Sequence, residues 1–595
     1  MNTSLTDLVK RLKAGEFNPP TSSTLPSKTI SPKDISTLPP KESQNTSEKI
    51  EESKENIIED IQIIKEDSFQ TYDKYGKVIS YNKEQQQIIS LAASGESCVL
   101  IGPAGTGKTT SMNGATTAII QSGKAGILDS QGHKYLHSGT PGIVIVAYTR
   151  RAVANIRKNL PKDLQSNAIT CHKLLEYEPV YNEVEDPTTG GFKRQMSFEP
   201  TRNAGKPLPP SIKVIIFEET SMLGVDLYKE VMAACHHNVQ FVFLGDIQQL
   251  PPVFGPAILG FKLLSLPVVE LTQVYRQALE SPIISLAHRI LSGKAIPAKD
   301  IPSFNVPSKL TIKPWKKKIS PDEALNTVAL MFCGNKHKES DPKKQATGLH
   351  EGGYYDPEED MILMPFGKAF GTEELNKHIA NYLAKSRGAE VYQIIGGFEK
   401  HYFSVGDKVM YEKEDATIIK IEKNLGYTGM QPVPHSKTLD YWGMDSSHTQ
   451  VENEEMSEDA MDFLLSQVAS GDPEDRVRKC SHVLTLRMND SEAEIKIDTA
   501  SAINSLLLGY ALTVHKAQGS EWRKVFFILH QSHNTMIQRE LLYTGVTRAR
   551  EELFIVCEPE TFTKGIESQR VKGNTLAEKA EFFKGKLSAG FVLDC

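Results

Sequence analysis

Two short stretches hold residues whose types and spacing could do chemistry. In GPAGTGKT, residues 102–109, three glycines precede a lysine–threonine pair. The glycines let backbone N–H groups wrap a chain of phosphates at the start of a helix. Lys108 adds a point charge for the terminal phosphates, and Thr109 offers a hydroxyl to Mg²⁺. The nucleotide cradle is thus expected from Gly102, Pro103, Ala104, Gly105, Thr106, Gly107, Lys108, Thr109 and Thr110. In VIIFEETSM, residues 214–222, four apolar residues run into two adjacent glutamates. At the tip of a strand in the same sheet, Glu218 would hold the metal through water. Glu219 would orient and deprotonate an attacking water. An aspartate is usual at the first of these positions, and Glu218 carries the same charge on one more methylene, which suits an outer-sphere role.

These residues need a sheet to position them. From 81 to 255, short doubly apolar strands (CVLI, GIVIVA, VIIF, FVFLGD) alternate with helices, the signature of a parallel sheet buried on both faces. One segment breaks the rhythm: PVYNEVEDPTTGGFKRQMSF, 179–198, has β-prone flanks meeting at a Thr-Thr-Gly-Gly turn and predicts a protruding hairpin. A second α/β unit begins near 271 and resumes after 505 with VFFILH and ELFIVCE. Between them the texture becomes strands without helices. The first 72 residues read as a mostly disordered tail with a helical island at 4–14.

Composition bounds the class. The 595 residues allow two to four domains, no run approaches a membrane span, and seven scattered cysteines without a CxxC pair argue for a reducing, intracellular setting. The net charge of −6 conceals a split, because residues 42–67 carry −6 and residues 445–475 carry −10. The remainder is about +10, which leaves room for a basic groove.

Beyond the phosphate loop and the paired acids, the chain carries GDIQQLPPV (245–253), LTQVYRQ (271–277), LTVHKAQGSEW (512–522) and LLYTGVTRARE (541–551). Together, and in this order, they resemble superfamily-1 helicases, in particular the RecD-like and Dda-like branch that moves 5′ to 3′. The resemblance covers about 80 to 558 and includes YNKEQ (81–85), AYTRRAV (147–153) and TCHKLL (170–175). It implies an α/β fold of two RecA-like parallel-sheet cores, with a β-hairpin insertion in the first and a barrel-like all-β insertion in the second. The implied division is a first core at 73–270 with a pin at 176–212, and a second core at 271–395 and 505–560. The β insertion, with its acidic loop 445–475, spans 396–504, and a C-terminal helical tail spans 561–595.

The resemblance also implies roles. Gln85 would read adenine, and Gln249, Arg276 and Arg548 would act on the γ-phosphate, the arginines from across a cleft. Thr149, Arg150, His172, Phe192 and His515 would contact single-stranded or forked DNA, with Phe192 near the tip of the strand-separating pin. The expected activity is an ATP- and Mg²⁺-dependent DNA helicase of replication, recombination or repair, of phage-like build. The 4–14 helix would offer a docking peptide to a replisome or single-strand-binding protein. Two rivals remain: an RNA helicase or remodeller of the same superfamily, and an ATP-gated recombination or replication adaptor.

Overall fold

The computed structural model describes residues 79–588 apart from 186–191, 253–254, 275–279, 295–309, 315–318, 336–340, 342–344, 346, 368–369, 398, 412–413, 428–478 and 490–491. The N-terminal tail to residue 72 with its 4–14 helix, Arg276, the turn at 188–191 and the acidic run 445–475 lie outside the described residues.

In chain order the first eight strands are β1 (Cys98–Ile101), β2 (Ile143–Ala147), β3 (Ala168–Thr170), β4 (Tyr177–Glu185), β5 (Phe192–Pro200), β6 (Val214–Phe217), β7 (Gln240–Gly245) and β8 (Val268–Glu270). Six of them form one parallel sheet in the order β3-β2-β6-β7-β1-β8. Every residue of β1, β2, β6 and β7 is buried. Alternate side chains serve two separate cores: Val99, Val144, Ile215 and Phe243 face one, and Leu100, Ile145, Ile216 and Leu244 face the other. Apolar residues on both faces suit a sheet covered on both sides by helices. Strands β4 and β5 leave this sheet as an antiparallel ribbon, paired from Tyr177↔Pro200 to Glu185↔Phe192.

The second core is a five-stranded parallel sheet. Its first two strands are β9 (Leu310–Pro314) and β10 (Met361–Met364). Seven antiparallel strands follow: β11 (Val391–Gly396), β12 (Glu399–Ser404), β13 (Lys408–Tyr411), β14 (Glu414–Lys423), β15 (Lys479–Met488), β16 (Glu494–Thr499) and β17 (Leu507–Leu508). The parallel sheet is completed by β18 (Ala511–Thr513), β19 (Trp522–Ile528) and β20 (Ala549–Cys557), in the order β18-β10-β19-β20-β9. The inserted strands make a ribbon, β11-β12, and a five-stranded sheet around one apolar core that includes Ile394, Phe403, Val409, Ile418 and Leu484. Two parallel-sheet cores, a hairpin in the first and an all-β insertion in the second are the architecture that the strand pattern predicted.

After the second sheet the chain turns back. The helix Leu576–Ser588 lays Phe583, 2% exposed, into a core of the first sheet. A Cβ on Gly260 of the Ile258–Lys262 helix would sit 2.2 Å from that ring, so the glycine makes the close approach possible. Among the described residues no helix is long and apolar enough to cross a membrane.

Candidate nucleotide site and strand-contact residues

The phosphate loop leaves the end of β1, and its Gly102 N–H donates to Gly245 O at the end of β7 (3.3 Å). Gly105 and Gly107 take φ of +82° and +87°, the left-handed region that disfavours a Cβ. The helix Lys108–Gln121 begins directly afterwards, with no side chain capping its first turn, so its N–H groups stay directed at the loop's hollow. Thr106 Oγ1 donates to Pro103 O at 2.8 Å and braces the loop. Lys108 Nζ donates to Gly102 O (2.6 Å) and Pro103 O (3.2 Å), which lays the ammonium against the loop. Thr109 is exposed on the first helical turn.

The paired acids end β6, which is separated from β1 only by β7. Glu219 sits at φ 51°, ψ 44°, a left-handed conformation that costs an L-residue about 1–2 kcal/mol. Its Oε2 is buried and has no hydrogen-bond partner. Burial, then the neighbouring charge of Glu219, pushes the Glu218 carboxyl up to about 8, while the Lys108 ammonium pulls it back. A strained acid with an orphan oxygen, beside a second acid that resists ionising, is a site lacking positive charge. The donor set therefore fits a cation held between the acids and a phosphate chain. Gln249, on the loop after β7, is also buried, and its Oε1 has no partner.

At the other side of the loop, Asn82 and Gln85 form a reciprocal capping box on the Lys83–Ser94 helix: Gln85 N donates to Asn82 Oδ1 (2.8 Å) and Asn82 N to Gln85 Oε1 (3.1 Å). Glu84 accepts from Thr272 N at 2.9 Å, and Asn82 Nδ2 donates to Gln273 Oε1 at 3.2 Å. The YNKEQ and LTQ segments are thereby tied together. Gln85 itself is fully buried.

The second core reaches this site through residues that their types did not single out. Tyr543, in the helix Arg539–Val546, accepts from Ala104 N of the phosphate loop at 2.7 Å and donates to Asp246 Oδ2 at 2.6 Å. Its neighbour Thr544 accepts from Leu250 N (2.9 Å), and Gln518 Nε2 donates to Leu250 O (2.8 Å). Arg548 is buried in its own core, where its guanidinium donates to Thr544 O, Ser520 O and Thr547 Oγ1 at 3.0, 3.1 and 3.2 Å. The pattern LLYTGVTRARE drew attention to its arginine. The tyrosine, directly after a Leu-Leu pair, reads from sequence as core.

The strand-contact candidates lie on both cores. Thr149 caps the Arg150–Asn159 helix, its Oγ1 accepting from Ala152 N at 3.1 Å, and Arg150 opens that helix, partly exposed. Arg151 behaves differently. It is buried, pairs with Asp415 of β14, lies 5.7 Å from the Trp522 ring centroid, and so joins the first core to the second and its insertion. Asn155 adds a hydrogen bond to Gly519 O at 2.7 Å. His172 sits between the rings of Tyr148 and Tyr177, at 5.7 and 5.0 Å. His515 follows β18 on the second core; its Nδ1 is buried without a partner, and burial pushes its pKa down to about 4, so it is neutral at pH 7. Phe192 begins β5 opposite Glu185, and its side chain lies outside the described residues. A cleft of about 540 Å³ runs between the Thr372–Arg387 helix, β12 and the loop after β18, with Lys377, Lys400, Tyr402 and Lys516 on its walls.

Two family models match parts of the chain, and several known proteins are similar to it. Residues 80–301 match the family model of an AAA domain, and residues 508–556 that of a UvrD-like helicase C-terminal domain. The chain is 27% identical over 499 residues to the ATP-dependent RecD2 DNA helicase of Deinococcus radiodurans, covering 83% of this chain and 51% of that protein. It is 21% identical over 526 residues to the RecBCD enzyme subunit RecD of Buchnera aphidicola, covering 81% of this chain and 73% of the relative. The first of these matches spans only about half of the relative's length. Among solved structures, Bacteroides Pif1 bound to ssDNA aligns with a TM-score of 0.39 and 16% identity, over 86% of this chain and 98% of that one. The phosphate loop and the paired acids fall in the first matched block and Tyr543 and Arg548 in the second, and over most of its length the chain is similar to the RecD2 and RecD proteins named above.

Proposed function

We propose that this chain is an ATP-dependent DNA helicase that moves 5′ to 3′ along single-stranded DNA and separates duplex, in replication, recombination or repair. One observation carries the reading. The loop that would hold the phosphates and the loop that presents Gln249 are both hydrogen-bonded to the second core, through Tyr543, Thr544 and Gln518. A nucleotide bound there alters contacts between two cores, and alternate closing and opening of two cores that each grip a strand is translocation. The match to a protein described as a DNA helicase supports the same reading.

Each residue has a task in this scheme. The loop's amides and Lys108 balance phosphate charge, and Glu219 holds the attacking water and takes its proton. Gln249, whose amide oxygen is buried without a partner, would orient the γ-phosphate and that water. Arg276 and Arg548 supply positive charge as the cores close, Arg548 by exchanging its bonds to backbone carbonyls for phosphate oxygens. Thr109 and Glu218 would hold Mg²⁺, which neutralises phosphate charge when bound. On the strand side, Thr149 and Arg150 approach phosphates. The His172 ring, the neutral His515 ring and the β4–β5 ribbon approach bases and the duplex fork.

The test is steady-state ATP hydrolysis with and without single-stranded DNA. The wild-type chain should be stimulated by DNA, and Lys108→Ala should hydrolyse at less than about a tenth of that rate, since several kcal/mol of electrostatic stabilisation rest on the ammonium. Hydrolysis by Lys108→Ala above that level contradicts the site.

A further inference from the structure

We infer that Tyr543 is a positioning residue that sets the place of Gln249 according to what occupies the phosphate loop. The inference rests on the nucleotide-site reading above and adds to it a residue that neither the loop nor the paired acids require. The geometry is a relay of three groups. The hydroxyl oxygen of Tyr543 accepts the Ala104 amide proton at 2.7 Å, and its own proton goes to Asp246 Oδ2 at 2.6 Å. Asp246 in turn accepts from Gln248 N at 2.9 Å, and Asp246 O accepts from Gln249 N at 3.1 Å. The turn that presents Gln249 is therefore built on a carboxylate oriented by a hydroxyl of the other core.

Burial gives this chain its force. Tyr543 is fully buried and Asp246 is 1% exposed, so no water replaces either bond if it breaks. The ring belongs to the second core's buried apolar cluster, with Leu541, Val546 and Val525, which ties the hydroxyl to the position of that core. Thr544 and Gln518 hold the far end of the same turn at Leu250. A shift of the phosphate loop at Ala104 moves the hydroxyl's acceptor geometry, and Asp246 and Gln249 follow. A shift of the second core does the same from the other direction. Phenylalanine at this position keeps the packing and removes both bonds.

Tyr543→Phe should therefore lower DNA-stimulated turnover by roughly 10- to 100-fold, the range for losing a buried hydrogen bond to a charged group. The KM for ATP should stay within about threefold, because the loop's other amides and Lys108 are untouched. Amide hydrogen exchange gives a readout independent of turnover: Ala104 and the 246–250 turn should exchange faster in the variant, while the interior of the Arg539–Val546 helix keeps its protection. Asp246→Asn, which keeps an acceptor for the hydroxyl, should retain more turnover than Tyr543→Phe. Should Tyr543→Phe not fold, Asp246→Ala, which removes the hydroxyl's acceptor, decides the matter by the same exchange and kinetic criteria. Unchanged exchange at 246–250, or a loss confined to KM, overturns the inference. A wild-type chain that hydrolyses no ATP would overturn the helicase reading, while the exchange comparison would still decide whether Tyr543 places the turn.

Discussion

Glu219→Gln separates chemistry from structure more cleanly than any other single change in this site. The substitution keeps the shape of a side chain whose Oε2 is buried and unpartnered. The amide replaces one unsatisfied polar atom by another, and the backbone at φ 51° is left as it is. Folding stability should therefore shift by less than about 1 kcal/mol, a change in unfolding temperature of about 2 °C or less for a chain of this size. What disappears is the base. Positioned proton transfer contributes about 10²–10⁴ in rate, or about 3–5 kcal/mol of barrier. The assay is phosphate release at saturating ATP and single-stranded DNA, beside equilibrium binding of a fluorescent nucleotide and a thermal melt. Binding within about threefold of wild type with turnover down by at least about 100-fold is the expected outcome. Turnover within about tenfold, with binding intact, would refute the assignment of Glu219 as base. Glu218→Asp should be tolerated because an outer-sphere acid can shorten with a water filling in; if it is the inactive variant and Glu219→Gln the active one, the two roles are exchanged.

Two further predictions concern the frame. Phe583→Ala removes a ring that is 2% exposed and 5.3 Å from Phe261, so it should cost about 3–5 kcal/mol where the C-terminal helix meets the first core, read as earlier proteolysis within 570–588. Unchanged cleavage would mean that the Phe583 ring does not anchor the helix to the first core. His533 is buried, with Nε2 2.6 Å from Phe370 O and a pKa pushed down to about 4 by burial. Its folded pKa lies below the unfolded value of about 6.5, so the stability tied to the neutral ring is complete above that value and is lost as pH falls toward 4, on the order of 3 kcal/mol in all. His533→Gln should flatten the pH–stability curve in that window, and an unaltered curve would contradict the burial argument.

The first sheet was legible because its strands are short, apolar on both faces and separated by helices. VIIF and CVLI occur as β6 and β1 at the residues read from the sequence. The phosphate loop was legible for a different reason: its glycines are needed for backbone conformations that other residues resist. Tyr543 was not legible. A tyrosine among leucines reads as core, and only the fold reveals that its hydroxyl emerges beside Ala104 and Asp246. Arg150 and Arg151 show the limit most sharply. They are adjacent and chemically identical, yet the helix phase leaves the first partly exposed and buries the second against Trp522 and Asp415. A pattern match names the pair without distinguishing them. Arg548 lies where the pattern expected an arginine in the second core, but its bonds to Thr544 O and Ser520 O depend on the turn between helix and strand, which spacing alone does not give.

The measurement that tests the account most directly is unwinding of forked DNA carrying a single tail. With ATP and Mg²⁺, a fork with only a 5′ single-stranded tail should be separated, and one with only a 3′ tail should remain duplex. Activity should fall steeply between about 50 and 200 mM salt, because the grip on a strand is largely a grip on phosphates. Equal action on both tails, or a preference for an RNA tail, would contradict the proposed polarity and substrate. Intact DNA binding with no unwinding of any fork would contradict the helicase reading itself and leave an ATP-gated binding protein in its place.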